Sequence, residues 1–296
     1  MKRIINAVIA ALMLILLASC TGKTNTAVVP AIQFAAPGAE EIAPPEMASS
    51  IKLDSTTMQV YYIDIPDGET LFKEFNSVSE IASDNVELIN KTDDGYWLYK
   101  AGDGTLLIDT SAGTWTYSTP LPSAAPDNMP TDAQAQQIAA KEIADSGLKI
   151  GSTSDSGVLS YTTDGDEKIL QKDVIFYPTV DGKNVYGIFR TTVGIGEGGK
   201  TVYFSKQSFE PKAGGEVKLK SIDEVKQSIS KGEFISNAAG ASGTATITDY
   251  ELCYYCDGVA KDGKLYVQPV YVFSAEINNA GGSEQIKVFV DAASQA

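Results

Sequence analysis

Histidine is absent from the 296 residues. Without an imidazole there is no histidine general base, no Ser-His-Asp or Cys-His nucleophile system, and no zinc site that relies on imidazole ligands. Positive charge is scarce: 23 Lys plus Arg stand against 38 Asp plus Glu, a formal charge of −15. That balance argues against nucleic acid or an anionic lipid surface as a partner, because affinity there comes mainly from neutralised phosphates. Long apolar runs are missing beyond the first twenty residues, so no later segment reaches the roughly 20 residues of a transmembrane helix. What remains is ordinary for a soluble globular chain, 43% hydrophobic and 21% charged, with length for two domains or one large one.

The N-terminus reads Met1-Lys2-Arg3, then an apolar stretch from Ile4 to Ala18, then Ser19-Cys20. A basic start, a short apolar core and small residues before a cut site are the features of a secretory signal peptide, here residues 1–19. Leu17-Ala18-Ser19-Cys20 resembles the bacterial lipobox, in which the cysteine after the cut carries diacylglycerol. The resemblance implies acylation at Cys20 and an extracytoplasmic, membrane-anchored protein whose polypeptide stays in water. Removing 19 residues leaves 277, and losing Lys2 and Arg3 takes the charge from −15 to −17.

Residues 20–50 are rich in Ala and Pro without a clean period, and Pro30, Pro37, Pro44 and Pro45 deny them a helix interior or central strand. They read as a flexible lipid-anchored tether. Residues 51–119 read as a small antiparallel β domain: Met58 to Ile65, Gly95 to Lys100, Thr105 to Asp109 and Thr114 to Ser118 are β-rich runs separated by Gly-containing turns. A short helix is expected near Ser79 to Ala82. Four prolines between 119 and 130 mark a linker, set at 120–130.

From 131 to 296 an α+β domain is expected, built from two tandem helix-on-antiparallel-sheet repeats, 131–219 and 220–296. Each opens on a capping box, Thr131 with Gln134 and Ser221 with Glu224, and the helices stop at Gly147 and Gly232. Each then carries Asp-Gly-Lys (181–183 and 262–264), a strand, Gly-Gly (198–199 and 281–282) and another strand. Ile222, Val225 and Ile229 form an apolar stripe expected to cover the face of Val267, Pro269, Tyr271 and Phe273. This order, with Gln268-Pro269-Val270-Tyr271, resembles the PepSY-like (cystatin-like) modules of the YycH/YycI group of envelope regulators. The resemblance covers 131–291 and implies a protein partner in the envelope and no catalytic residue.

Cys253-Tyr-Tyr-Cys256 ends an extended run. Residues three apart in a strand stand about 10 Å apart, beyond the roughly 7 Å a disulfide tolerates, so a bridge needs a turn at Tyr254-Tyr255; otherwise two buried thiols lie on opposite faces. Gly194-Ile-Gly-Glu-Gly-Gly199 matches the dinucleotide pattern, but a strand follows where a helix is required, so it reads as a hairpin loop. Asp164-Gly-Asp-Glu167 and Lys91-Thr-Asp-Asp94 lack the spacing of a calcium loop and read as solvated turns. Tyr61, Tyr62, Tyr99 and above all Tyr96, Trp97, Trp115 and Tyr117 make an aromatic-rich sheet, the last four being the candidate binding-face aromatics. No metal site, cofactor or catalytic constellation emerges. The expected function is a non-enzymatic, membrane-anchored extracytoplasmic lipoprotein that binds another envelope protein such as a sensor or protease. The alternative is a binding module for cell-wall glycan or a small solute.

Overall fold

The computed structural model describes residues 27, 29–34, 42–78, 81, 85–148, 150, 158–163, 168–238, 243–279 and 282–294. In chain order the elements are β1 (Glu46–Met47), β2 (Thr57–Asp64), α1 (Gly68–Phe75), β3 (Val86–Lys91), β4 (Tyr96–Ala101), β5 (Gly104–Asp109) and β6 (Thr114–Ser118). Then come α2 (Asp132–Ser146), β7 (Val158–Thr163), β8 (Ile169–Phe176), β9 (Thr179–Val180), β10 (Lys183–Gly187), β11 (Thr191–Ile195) and β12 (Thr201–Gln207). The chain closes with β13 (Lys212–Lys218), α3 (Ile222–Ser230), β14 (Ile235–Ser236), β15 (Ala245–Cys256), β16 (Lys264–Asn279) and β17 (Gly282–Asp291).

The helices start where local chemistry directs. Asp67 caps α1 by accepting from the Thr70 amide, and both expected capping boxes form, Thr131 with Gln134 and Ser221 with Glu224. Gly147 ends α2 in the left-handed conformation that its missing Cβ makes cheap.

Strands make up 48% and helices 15% of the structure, in two large, mainly antiparallel sheets. An eight-stranded sheet runs β3-β4-β5-β6-β12-β11-β8-β7, a strand order mirrored about the central β6–β12 pair. Helices α1 and α2 cover one face, α1 over β5 and β6 and α2 over β8 and β11. Leu71, Phe75, Ala135, Ala139, Trp115, Val174, Val193 and Phe204 form the core between them. The nine-stranded sheet follows β13-β2-β16-β15-β10-β9, with β17 and β14 added beyond β16 and β1 on β15. Pro269, which has no N–H to donate, stands where β16 passes from pairing with β2 (to Val267) to pairing with β17 (from Val270). Helix α3 packs Val225 and Ile229 into the main core of this sheet with Val267, Tyr271, Phe273 and Val290.

Three expectations are corrected. The fold is mostly β, and 131–219 and 220–296 are not two helix-on-sheet repeats. Strands β7, β8, β11 and β12 of the first stretch join the eight-stranded sheet, whereas β9, β10 and β13 join the other. The single strand expected over 185–193 is two strands in different sheets, with 188–190 carrying the chain between them. Second, the segment 120–130 is not a boundary between separate domains: β6 before it pairs along its length with β12 after it, and β2 pairs with β13 and β16. A turn-rich segment is visible locally, but strand pairing over such separations is not.

Third, the described stretch of the expected tether is packed. Ala27 donates its amide to Glu216 O at 2.7 Å, Ile32 and Ile42 are buried, and β1 pairs with β15. Burial of these apolar side chains offsets the entropy of ordering a proline-rich chain. The signal segment, Cys20, most of the expected helix near 79–82 and the Asp164–Glu167 cluster lie outside the described residues, and no described helix is long and apolar enough to cross a membrane.

Candidate functional site

Because α1 and α2 occupy one face of the eight-stranded sheet, strand alternation presents the other side chains on the opposite face, which no helix covers among the described residues. The registers align them in rows. One row is Glu87, Lys100, Thr105, Ser118, Tyr203, Gly194, Asp173 and Ser160; the next includes Asn90, Leu98, Leu107, Thr116, Ser205, Thr192 and Ile175. Serine and threonine dominate the centre, where Thr116 and Ser205 hydroxyls lie 3.0 Å apart.

Across β6, β12, β11, β8 and β7 this face hollows into a basin of about 520 Å³. Gln171 lies over Gly194 at its floor, where a Cβ would meet the Gln171 amide nitrogen at 2.4 Å and the Tyr203 Cβ at 2.7 Å. Gln171 in turn donates to Asp173, whose other oxygen accepts from Thr162 at 2.7 Å. Thr192, Tyr203, Ser118 and Ser160 complete the polar lining, with Leu121 and Ile175 as apolar patches. Arg190, one of two arginines in the sequence, is exposed at the same basin, and its guanidinium has no partner among the described residues. Fixed acceptors, hydroxyls that both donate and accept, and a planar five-donor cation make a surface suited to a polar, hydroxyl-bearing ligand.

The aromatics expected to share a binding face are divided between faces. Tyr96 is on the open face and 41% exposed. Trp97 is half-buried on the helix side, packed over Gly68 with Lys91 Nζ 3.5 Å from its ring centre. Trp115 is fully buried, stacked on Phe204 at 5.1 Å, and Tyr117 is buried beside Phe75. Those two are core residues. Tyr203, the aromatic of the basin, was not singled out by the sequence; its signal was the alternation Thr201, Tyr203, Ser205 along one strand.

Cys253 and Cys256 are free and buried. Both lie in β15 and face opposite ways, Cys253 with Tyr255 into a small cluster of Ile32, Val270 and Val272, Cys256 with Tyr254 into the main core. Burial pushes each thiol up to about 12, so the protonated thiol is favoured at neutral pH. Gly194–Gly199 joins β11 to β12 through a short turn at Glu197–Gly199 and offers no helix N-terminus to a phosphate. Asp93 and Asp94 are exposed in the β3–β4 turn. Among the described residues no group of three metal-ligating side chains is assembled.

No protein-family model matches the chain, and no curated protein matches it. Among the solved structures, the chain is similar to an uncharacterized protein from Eubacterium rectale ATCC 33656, at 11% identity over 86% of this chain and 88% of that one, with a TM-score of 0.49.

Proposed function

We propose that this is a lipid-anchored extracytoplasmic binding protein, non-enzymatic, whose ligand lies in the basin of the open sheet face and belongs to the cell-wall glycan class. The observation that carries it is the convergence of Ser118, Ser160, Thr162, Thr192, Asp173, Arg190 and Tyr203 on one hollow. Sugars meet proteins through such mixed donors and acceptors with an aromatic surface alongside. Binding is favoured over hydrolysis because, among the described residues, Asp173 is the single carboxylate lining the basin and each of its oxygens already accepts a hydrogen bond, whereas glycosidases work with a carboxylate pair. The net charge of −15 disfavours nucleic acid. The test is calorimetry of the protein with soluble peptidoglycan fragments, comparing wild type with Arg190→Ala and Asp173→Asn. Losing one hydrogen bond to a charged group weakens binding by about tenfold or more. Equal affinity in all three proteins overturns the assignment.

A protein partner is the second reading, favoured by one observation. Strand β3, at the edge of the sheet among the described residues, exposes Leu88 (51%) and Ile89 (57%). An extended segment of another envelope protein would add there as a ninth strand.

A further inference from the structure

We infer that residues 27, 29–34 and 42–53 act as a docked strap that fixes how far the fold stands from its membrane anchor. The inference rests on acylation at Cys20, as proposed above. The strap is held at both ends and between. Ala27 bonds Glu216 O on β13, the Gln33 amide bonds Asp257 at 2.8 Å, and Phe34 meets Tyr255 edge-on at 5.4 Å. Ile32 closes the cluster of Cys253, Tyr255, Val270 and Val272 on the face of the nine-stranded sheet that α3 does not cover. Further on, Ile42 is buried in the main core, with Met47, Ile51 and Leu53 packed against it.

Covalent geometry then sets the stand-off. Only residues 21–26 separate Cys20 from the fixed Ala27, a span of about 25 Å at most, whereas a chain free as far as Ile51 would reach about 110 Å. The β13 edge is therefore the membrane-proximal edge, and ligands are those of the bilayer surface and the wall layer next to it.

Because Ile32 seals Cys253, thiol labelling reads the strap without any functional assay. The acylated full-length chain, carrying a donor dye on Ala213→Cys, is reconstituted in vesicles with acceptor-labelled headgroups. Wild type should show strong energy transfer, with Cys253 and Cys256 both protected from maleimide. Ile32→Asp should lower the transfer and label Cys253 about tenfold faster or more, with Cys256 still protected as the check on folding. A second variant, with 20 Gly/Ser residues inserted after Gly22, should lower the transfer while Cys253 stays protected, since a flexible chain of that length adds on the order of 25 Å. Unchanged transfer on insertion, or rapid labelling of Cys253 in the wild type, overturns the strap. Absence of palmitate label at Cys20 removes the anchor and the stand-off together, while protection of Cys253 independently reports whether the strap is docked.

Discussion

Lys206 Nζ lies 2.8 Å from a carboxylate oxygen of Glu74, joining β12 to α1 across 132 residues of sequence. Lys206 is 1% exposed, and the same carboxylate accepts from Trp115 Nε1 at 3.3 Å and from the Ser208 hydroxyl. Removing one partner of a buried pair leaves the other charge uncompensated, at a cost of about 3–5 kcal/mol. Glu74→Ala strands the fully buried Lys206 charge and should destabilise the fold by that order in urea unfolding; Lys206→Met should cost much less, because Glu74 is 27% exposed and keeps the Trp115 and Ser208 donors. Equal losses would show that the pair contributes packing alone.

The β6–β12 ladder predicts how a cut in the proline-rich segment behaves. Protease nicking within 120–130 should leave the two pieces associated through gel filtration, because they share a sheet and the core of Trp115 and Phe204. They should separate only in denaturant. Release of a folded fragment beginning near Thr131 would contradict the pairing.

Trp115 and Tyr96 stand on opposite faces of one sheet and should respond oppositely to alanine. Trp115→Ala empties a fully buried site and should cost about 3–5 kcal/mol, whereas Tyr96→Ala should stay within about 0.5 kcal/mol. Thermal unfolding of both variants decides it.

Gly187 has φ +96°, and a Cβ there would sit 2.0 Å from Cys256 O, across the parallel β10–β15 pair. No small movement accommodates that contact, since the obstacle is backbone. Gly187→Ala should cost about 3 kcal/mol or more, measured as a lowered urea midpoint. A neutral substitution would mean that β10 does not lie against β15.

Alkali should destabilise the protein before other groups matter. The thiols of Cys253 and Cys256 ionise near 9 in the unfolded chain and are pushed up to about 12 by burial in the fold. Below pH 9 both states are neutral and nothing changes. Above it the unfolded state releases protons that the native state keeps, so stability falls by about 1.4 kcal/mol per pH unit per thiol. Tyr61 and Tyr271, raised to about 12 mainly by burial, add to the slope above pH 10. Stability measured from pH 8 to 10 should fall in the wild type and fall less steeply in a Cys253→Ala, Cys256→Ala double variant.

What was legible in the sequence lay within a few residues of itself. The capping boxes at Thr131 and Ser221 close over three positions, and the Asp181-Gly182 and Asp262-Gly263 turns place both residues at positive φ. Opposite facing of Cys253 and Cys256 follows from strand alternation alone. Helix α1 was missed because Pro66-Asp67-Gly68 reads equally as the end of a strand, although Leu71, Phe75 and Val78 follow at helical spacing. The two Asp-Gly-Lys turns suggested a repeat, yet one joins two-residue β9 to β10 and the other opens the 16-residue β16. Which sheet a strand enters depends on partners dozens to hundreds of residues away, and the basin draws on five strands, the segment after β6 and Arg190 just before β11. No short window contains it.

Pairing of β1 with β15 joins positions 200 residues apart, and the Gln33–Asp257 bond closes a loop of 224. During synthesis, and during export if the chain is secreted and acylated as proposed, the earlier portion to emerge thus waits for the latest before it has a surface to settle on. Signal cleavage and acyl transfer would act on an N-terminus that has not yet found its place, and maturation of the chain end would precede completion of the fold. Docking of Ile32 onto Val270 and Val272 then becomes a late event, one that registers arrival of the C-terminal strands. A chain truncated before β16 would lack the surface on which Ile32 settles and would keep a loose N-terminal stretch, open to proteases.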